Sequence, residues 1–197
     1  MEPVDREADH DARTLGLRHV FSESPSRTYT AGVEGDTVTS FRESVDVAAA
    51  PDVVWALVTD IRRHAEFAGP KSITKVIDFD GDVAVGSRWI AHERFGPQKF
   101  DAPSEITVVE PGRILEWVSF PPMKDENRGT GGKVVWGYAV QPSSTGTRLE
   151  HYMEVLEPRK GAGMLKAMYK VLGLPAKQVA GGRTTLASIK KAAEQRP

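Results

Sequence analysis

RLEHYMEVLEPRKGAGMLKAMYKVL, residues 148–172, decides the fold, because the period of its apolar residues changes partway along. Up to Leu156 the pattern alternates. Leu149, His151, Met153 and Val155 share one face, while Arg148, Glu150, Tyr152 and Glu154 share the other, as in a half-buried strand. From Gly161 the period lengthens, and Met164, Leu165, Met168, Val171 and Leu172 form one apolar stripe at helical spacing. Gly173 and Pro175 predict a kink. Val179, Leu186, Ile189 and Ala193 continue the stripe, with Lys190, Lys191 and Glu194 on the wet side.

Upstream, Thr37 to Val47 alternates and reads as a first strand. AAAPDVVWALVTDIRRHAEF follows. Pro51 suits a first helical turn, Asp52 favours a helix N-terminus, and Val54, Leu57, Val58 and Ile61 recur at helical spacing. One or two short helices are therefore expected between Ala50 and Phe67, ended by Gly69 and Pro70. Strands are then expected at 72–79, 86–95, 104–109, 114–120, 134–140 and 148–156. They are punctuated by Asp80-Gly81, Phe95-Gly96-Pro97, Glu110-Pro111-Gly112, the loop PPMKDENRGTGGK and Pro142 to Gly146. Short turns between successive strands imply an antiparallel meander. The expected class is α+β: a curved antiparallel sheet of about seven strands around a long C-terminal helix, with two short helices after the first strand and a pocket on the concave side.

The 197 residues suffice for one domain, read as residues 37–197, preceded by a mobile tail at 1–36 that is rich in charge and poor in apolar positions. Hydrophobic residues make up 40% and charged residues 27%, and the net charge of -1 lacks the basic stripe of a nucleic-acid module. With no cysteine there is no disulfide framework, thiolate metal site or cysteine nucleophile. The first 20 residues contain no apolar signal region, and nothing approaches the ~20 apolar residues that cross a bilayer. The expectation is a cytoplasmic protein, monomeric or homodimeric, without an integral membrane segment.

Five local words in order resemble one superfamily: VDVAAAPDVVWALVTDIRRHAEF, VGSRW, ITVVEPGRILEWVSF, WGYAVQPSSTGTRLEH and LASIKKAAE. They are similar to the SRPBCC superfamily, which includes START-related lipid-transfer domains, Bet v 1-like proteins and the polyketide cyclase/dehydrase group. The VVEP-turn-LEW hairpin places the resemblance nearest that last branch. It spans Thr37 to Glu194 and implies the helix-grip fold with a cavity for a small hydrophobic molecule such as a lipid or polyketide. Fold resemblance does not by itself fix a reaction.

The apolar face of the last strand should be concave, which sets His151 among Leu149, Met153 and Val155. There it is either an acid/base whose pKa desolvation lowers, or a packing residue that hydrogen-bonds a neighbour. In the strand at 86–95 the Trp89 face is the more apolar and is expected inward. It carries Glu93, either into the pocket as a carboxylate with a raised pKa or to the rim in an ion pair. The two faces carrying Trp117 and Glu116 are equally apolar. Trp136 and Tyr138 share a face; inward, they offer an N–H and an O–H to a ligand oxygen, and outward they are surface aromatics. Met164 and Met168 suit a pliable pocket lid or ordinary core packing. The five histidines lack metal-ligand spacing, so no metal and no cofactor is expected.

The leading function is a binder or carrier of a small hydrophobic molecule. One alternative is a cofactor-independent polyketide cyclase, aromatase or dehydratase using His151, Tyr138 and Glu93. Another is a protein-interaction module resembling Hsp90-activator relatives, in which Trp136 and Tyr138 would face solvent.

Overall fold

The computed structural model describes residues 36–69, 72–79, 81–95, 98–120, 132–157 and 159–195. The tail expected at 1–36, apart from Asp36, and most of the glycine-rich loop lie outside these residues. Strand β1 (Asp36–Val47) leads into helix α1 (Pro51–Val58), a 3-10 turn (Ile61–Arg63) and helix α2 (His64–Phe67). Six strands follow: β2 (Ile73–Ile77), β3 (Arg88–Phe95), β4 (Gln98–Glu110), β5 (Ile114–Ser119), β6 (Lys133–Ser143) and β7 (Gly146–Glu157). Helices α3 (Arg159–Val171) and α4 (Leu174–Glu194) end the chain. The seven strands form one antiparallel sheet in the order β1-β7-β6-β5-β4-β3-β2, so β1 crosses to pair with β7. This is the helix-grip architecture.

Strand β4 begins at Gln98, six residues before the sequence pattern would start it. Its first half, QKFDAP, is polar and contains Pro103, which has no N–H to donate. The pairing holds regardless, because β3 supplies a continuous register in which Pro103 faces Ile90. The expected kink is a break: Gly173 adopts φ 62, a left-handed conformation that separates α3 from α4.

Helix α4 fills the grip. Leu186, Ile189 and Ala193 are buried in the same core as Val54, Leu57 and Val58 of α1 and the concave side chains of the sheet. Polar ties fix its position. Arg183 donates two hydrogen bonds to the Glu43 carboxylate at 3.0 and 3.1 Å, and the Ala48 N–H donates to Glu194 Oε1 at 2.8 Å. At the end of α2 the Gly69 N–H donates to Thr185 Oγ1 at 3.2 Å.

The convex face carries a transverse polar row. The guanidinium of Arg42 on β1 lies 4.3 Å from the centre of the Tyr152 ring on β7. Tyr152 lies across Gly137 of β6 and donates its hydroxyl hydrogen to Glu116 Oε2 on β5 at 3.1 Å. Thr107 of β4 donates to the other carboxylate oxygen at 3.2 Å. Any side chain at 137 would collide with this ring, since a Cβ there would fall 2.2 Å from Tyr152 Cζ. Glu116 is fully buried, and burial pushes its carboxyl up to about 7, opposed by the hydrogen bonds from Tyr152 and Thr107.

Two outcomes follow from this row. Gly137→Ala should destabilise the fold by about 2 kcal/mol, the usual cost of overpacking, read as a lower urea midpoint. Glu116 takes up its proton more readily folded than unfolded, so it favours the fold at acid pH and loses that contribution as pH rises from about 4.5 to about 7. The stability of Glu116→Gln relative to the native chain should therefore rise across this interval and level off above it, measured by urea titrations at stepped pH.

Candidate ligand site on the concave face

The alternation in β7 places Leu149, His151, Met153 and Val155 on the concave side, all buried. Register carries the face across the sheet. His151 pairs with Tyr138, Met153 with Trp136, Trp136 with Trp117, and Trp117 with Ile106. On β3 the concave residues are Trp89 and Ala91, as the more apolar face predicted. Trp117 is also inward. All six residues of β5 are buried, which is why alternation cannot distinguish its two faces in the sequence.

The result is a continuous floor of rings. Trp136 stacks on Trp117 at 6.5 Å between centroids and 14° between planes. His151 is parallel to Trp136 at 5.9 Å and 13°, and to Tyr138 at 4.6 Å and 23°. Phe41 of β1 meets His151 edge-on at 5.4 Å. Trp89 closes the far side against Trp117 and Phe79.

A second histidine joins this floor. His64, at the start of α2, is buried with its ring 5.3 Å from Trp117 and 5.9 Å from Tyr138. Sequence reasoning gave it no role, although Ile61, His64 and Phe67 recur every three residues on the face the short helices bury. Tyr138 thus stands between two imidazoles, one from β7 and one from α2.

Hydrogen bonds define the state of each ring. His151 Nδ1 lies 3.0 Å from the Gly137 carbonyl, which can only accept, so Nδ1 carries the proton and Nε2 the lone pair. His64 Nε2 donates to the Val58 carbonyl at 2.8 Å, leaving the lone pair on Nδ1. Burial pushes His151 down to about 4, partly offset by the Gly137 carbonyl and reinforced by His64. Burial likewise lowers His64 and holds the Tyr138 phenol well above its ordinary value. At neutral pH the site contains two neutral imidazoles and a phenol. Among the described residues none pairs with the Tyr138 hydroxyl, His151 Nε2 or His64 Nδ1.

Glu93 is not part of this group. It shares the inward face of β3 with Trp89 but stands four strands from β7, about 19 Å along the sheet at ordinary strand spacing. Burial pushes its carboxyl up to about 7, and no ion-pair partner for it stands among the described residues. It lines an open groove of about 510 Å³ at the β2–β4 end, with Lys75, His92, Lys99, Phe100 and Asp101. Met164 and Met168 do not roof the rings either. They lie on the outer side of α3 with 81% and 46% of their surface exposed, because α3 packs through Tyr169 instead.

Residues 38–193 match the family model described as polyketide cyclase / dehydrase and lipid transport. Protein Rv0088 of Mycobacterium tuberculosis is 27% identical over 149 residues, which cover 74% of this chain. The match spans 60% of that relative's length. The aromatase/cyclase Zhui from Streptomyces sp. R1128 superposes with a TM-score of 0.59 at 16% identity, covering 80% of this chain and 94% of that one. Protein CV1439 from Chromobacterium violaceum gives 0.57 at 16% identity, covering 80% and 99%. The family match over most of the chain, the shared fold and the five sequence words agree: this chain belongs to the polyketide cyclase/dehydrase and lipid transport family of the SRPBCC superfamily.

Proposed function

We propose that the chain binds a small, largely apolar molecule bearing rings and at least one oxygen, and acts as its carrier. One observation carries this reading. Three polar groups, Tyr138 Oη, His151 Nε2 and His64 Nδ1, stand among stacked aromatic side chains without partners among the described residues. Each has hydrogen-bonding capacity to spare, and a ligand oxygen or hydroxyl would engage it. Trp117 and Trp136 offer flat faces to a ring system, and Met153 and Val155 extend the apolar wall.

The protonation states favour binding over acid catalysis. His151 near 4 is neutral at physiological pH, and a phenol raised by burial is a poor acid. The second reading, a cyclase or aromatase, is favoured by the Tyr138–His151 stack. The phenol O–H can polarise a carbonyl while His151 Nε2 accepts a proton. Glu93 stands apart from that pair and plays no part in it. An interaction module that exposes Tyr138 does not agree with a ring that is 4% exposed.

Native mass spectrometry and organic extraction of protein from its own host should yield a stoichiometric apolar molecule. Anilinonaphthalene sulfonate should compete with that molecule and quench tryptophan fluorescence saturably. Tyr138→Phe should weaken binding of the extracted molecule roughly fivefold, the worth of one hydrogen bond. Absence of both a co-purified molecule and saturable probe binding would remove the carrier reading. Turnover of a poly-β-ketone that His151→Gln abolishes, with binding retained, would establish the cyclase instead.

A further inference from the structure

Among the described residues, none covers the apolar face formed by helix α3 and Leu172 just after it. Met164, Met168, Val171 and Leu172 are 81%, 46%, 85% and 51% exposed, and they recur at i, i+4, i+7 and i+8, so they form one stripe. The contact of α3 with the sheet runs through Tyr169, which lies to one side of the stripe and packs on the cluster of Val38, Phe41, Met153 and Val155, while Lys166 and Lys170 stand on the side away from the stripe. A large exposed apolar stripe calls for a partner.

Charge says which partner. From residue 159 to residue 193 the chain contains lysines and arginines but no aspartate or glutamate, in a protein whose net charge is -1. Lys166 and Lys170 are exposed on α3 itself, and Lys177 follows on α4. A basic helix with apolar residues along one exposed side is the form that lies in a membrane interface, its apolar side chains among the acyl chains and its lysines at anionic headgroups. At 13 residues α3 is about 20 Å long, too short to cross a bilayer.

We propose that α3 docks the protein on an anionic lipid surface, with Met164, Met168, Val171 and Leu172 inserted and Lys166 and Lys170 at the headgroups. This goes beyond ligand binding, and it does not depend on what the ring-lined face holds. The Gly173 break lets α3 lie on the surface while α4 stays in the grip.

Co-sedimentation of the full chain with vesicles tests the proposal without any ligand. Binding should be strong on mixed phosphatidylcholine/phosphatidylglycerol vesicles at low salt, weak on phosphatidylcholine alone, and reversed by salt. Lys166→Gln and Lys170→Gln should each weaken binding roughly fivefold. The double variant Met164→Ser/Met168→Ser should weaken it about tenfold or more, with the circular dichroism spectrum unchanged because both side chains are exposed. Three results would overturn the proposal. The first is no binding to anionic vesicles at low salt. The second is binding that the methionine variant leaves intact. The third is a stable dimer that the methionine variant dissolves, which would show that a second copy covers the stripe.

Discussion

The seating of α4 against the concave face is the constraint on which the rest of the structure depends. The concave face of the sheet is apolar, and α4 is the only helix among the described residues long enough to cover it. Leu186, Ile189 and Ala193 supply the contact, and the ties from Arg183 to Glu43 and from Ala48 to Glu194 fix its rotation and height. α1 and α2 complete the enclosure from the other side, which brings His64 to the ring floor. Each burial removes apolar surface from water, and the hydrophobic gain sums over the whole face.

Enclosure has a chemical consequence. Any polar group on the concave face is desolvated, so its ionised form is disfavoured. His151 and His64 are neutral for that reason, and Tyr138 keeps its proton. The same physics acts on the opposite face, where Glu116 is held by Tyr152 and Thr107. The two sets of groups respond to pH in opposite senses. Buried carboxyls favour the fold as pH falls, whereas buried imidazoles oppose it. The chain thus contains both signs of linkage within one sheet.

Much of the fold is legible in the residues because it follows from local periods. The strict alternation of β7 has one charged and one apolar face, so the inward set Leu149, His151, Met153 and Val155 can be read directly. Alternation is not readable at β5, where ILEWVS is buried on both sides and no contrast remains. It also fails at the first half of β4, where QKFDAP looks like a loop and is a strand only because β3 pairs with it. The α3 stripe shows a different limit. Its helical period is real, but periodicity cannot say what covers a face, and Met164 and Met168 prove to be outside.

By itself, then, the sequence determined most element types, their order, the strand-to-helix switch between residues 156 and 161, an interruption of the last helix near Gly173 and the membership of the superfamily. These are set by nearest-neighbour backbone preferences and by the spacing of apolar residues, both of which are local. Tertiary structure alone decided which side chains meet. It set Tyr138 between His151 and His64, residues 87 positions apart in the chain, and it laid Tyr152 over Gly137 to reach Glu116. It also removed Glu93 from the group and turned the α3 stripe to the outside. Strand register and helix docking are cooperative properties of the whole sheet, and no window of sequence contains them.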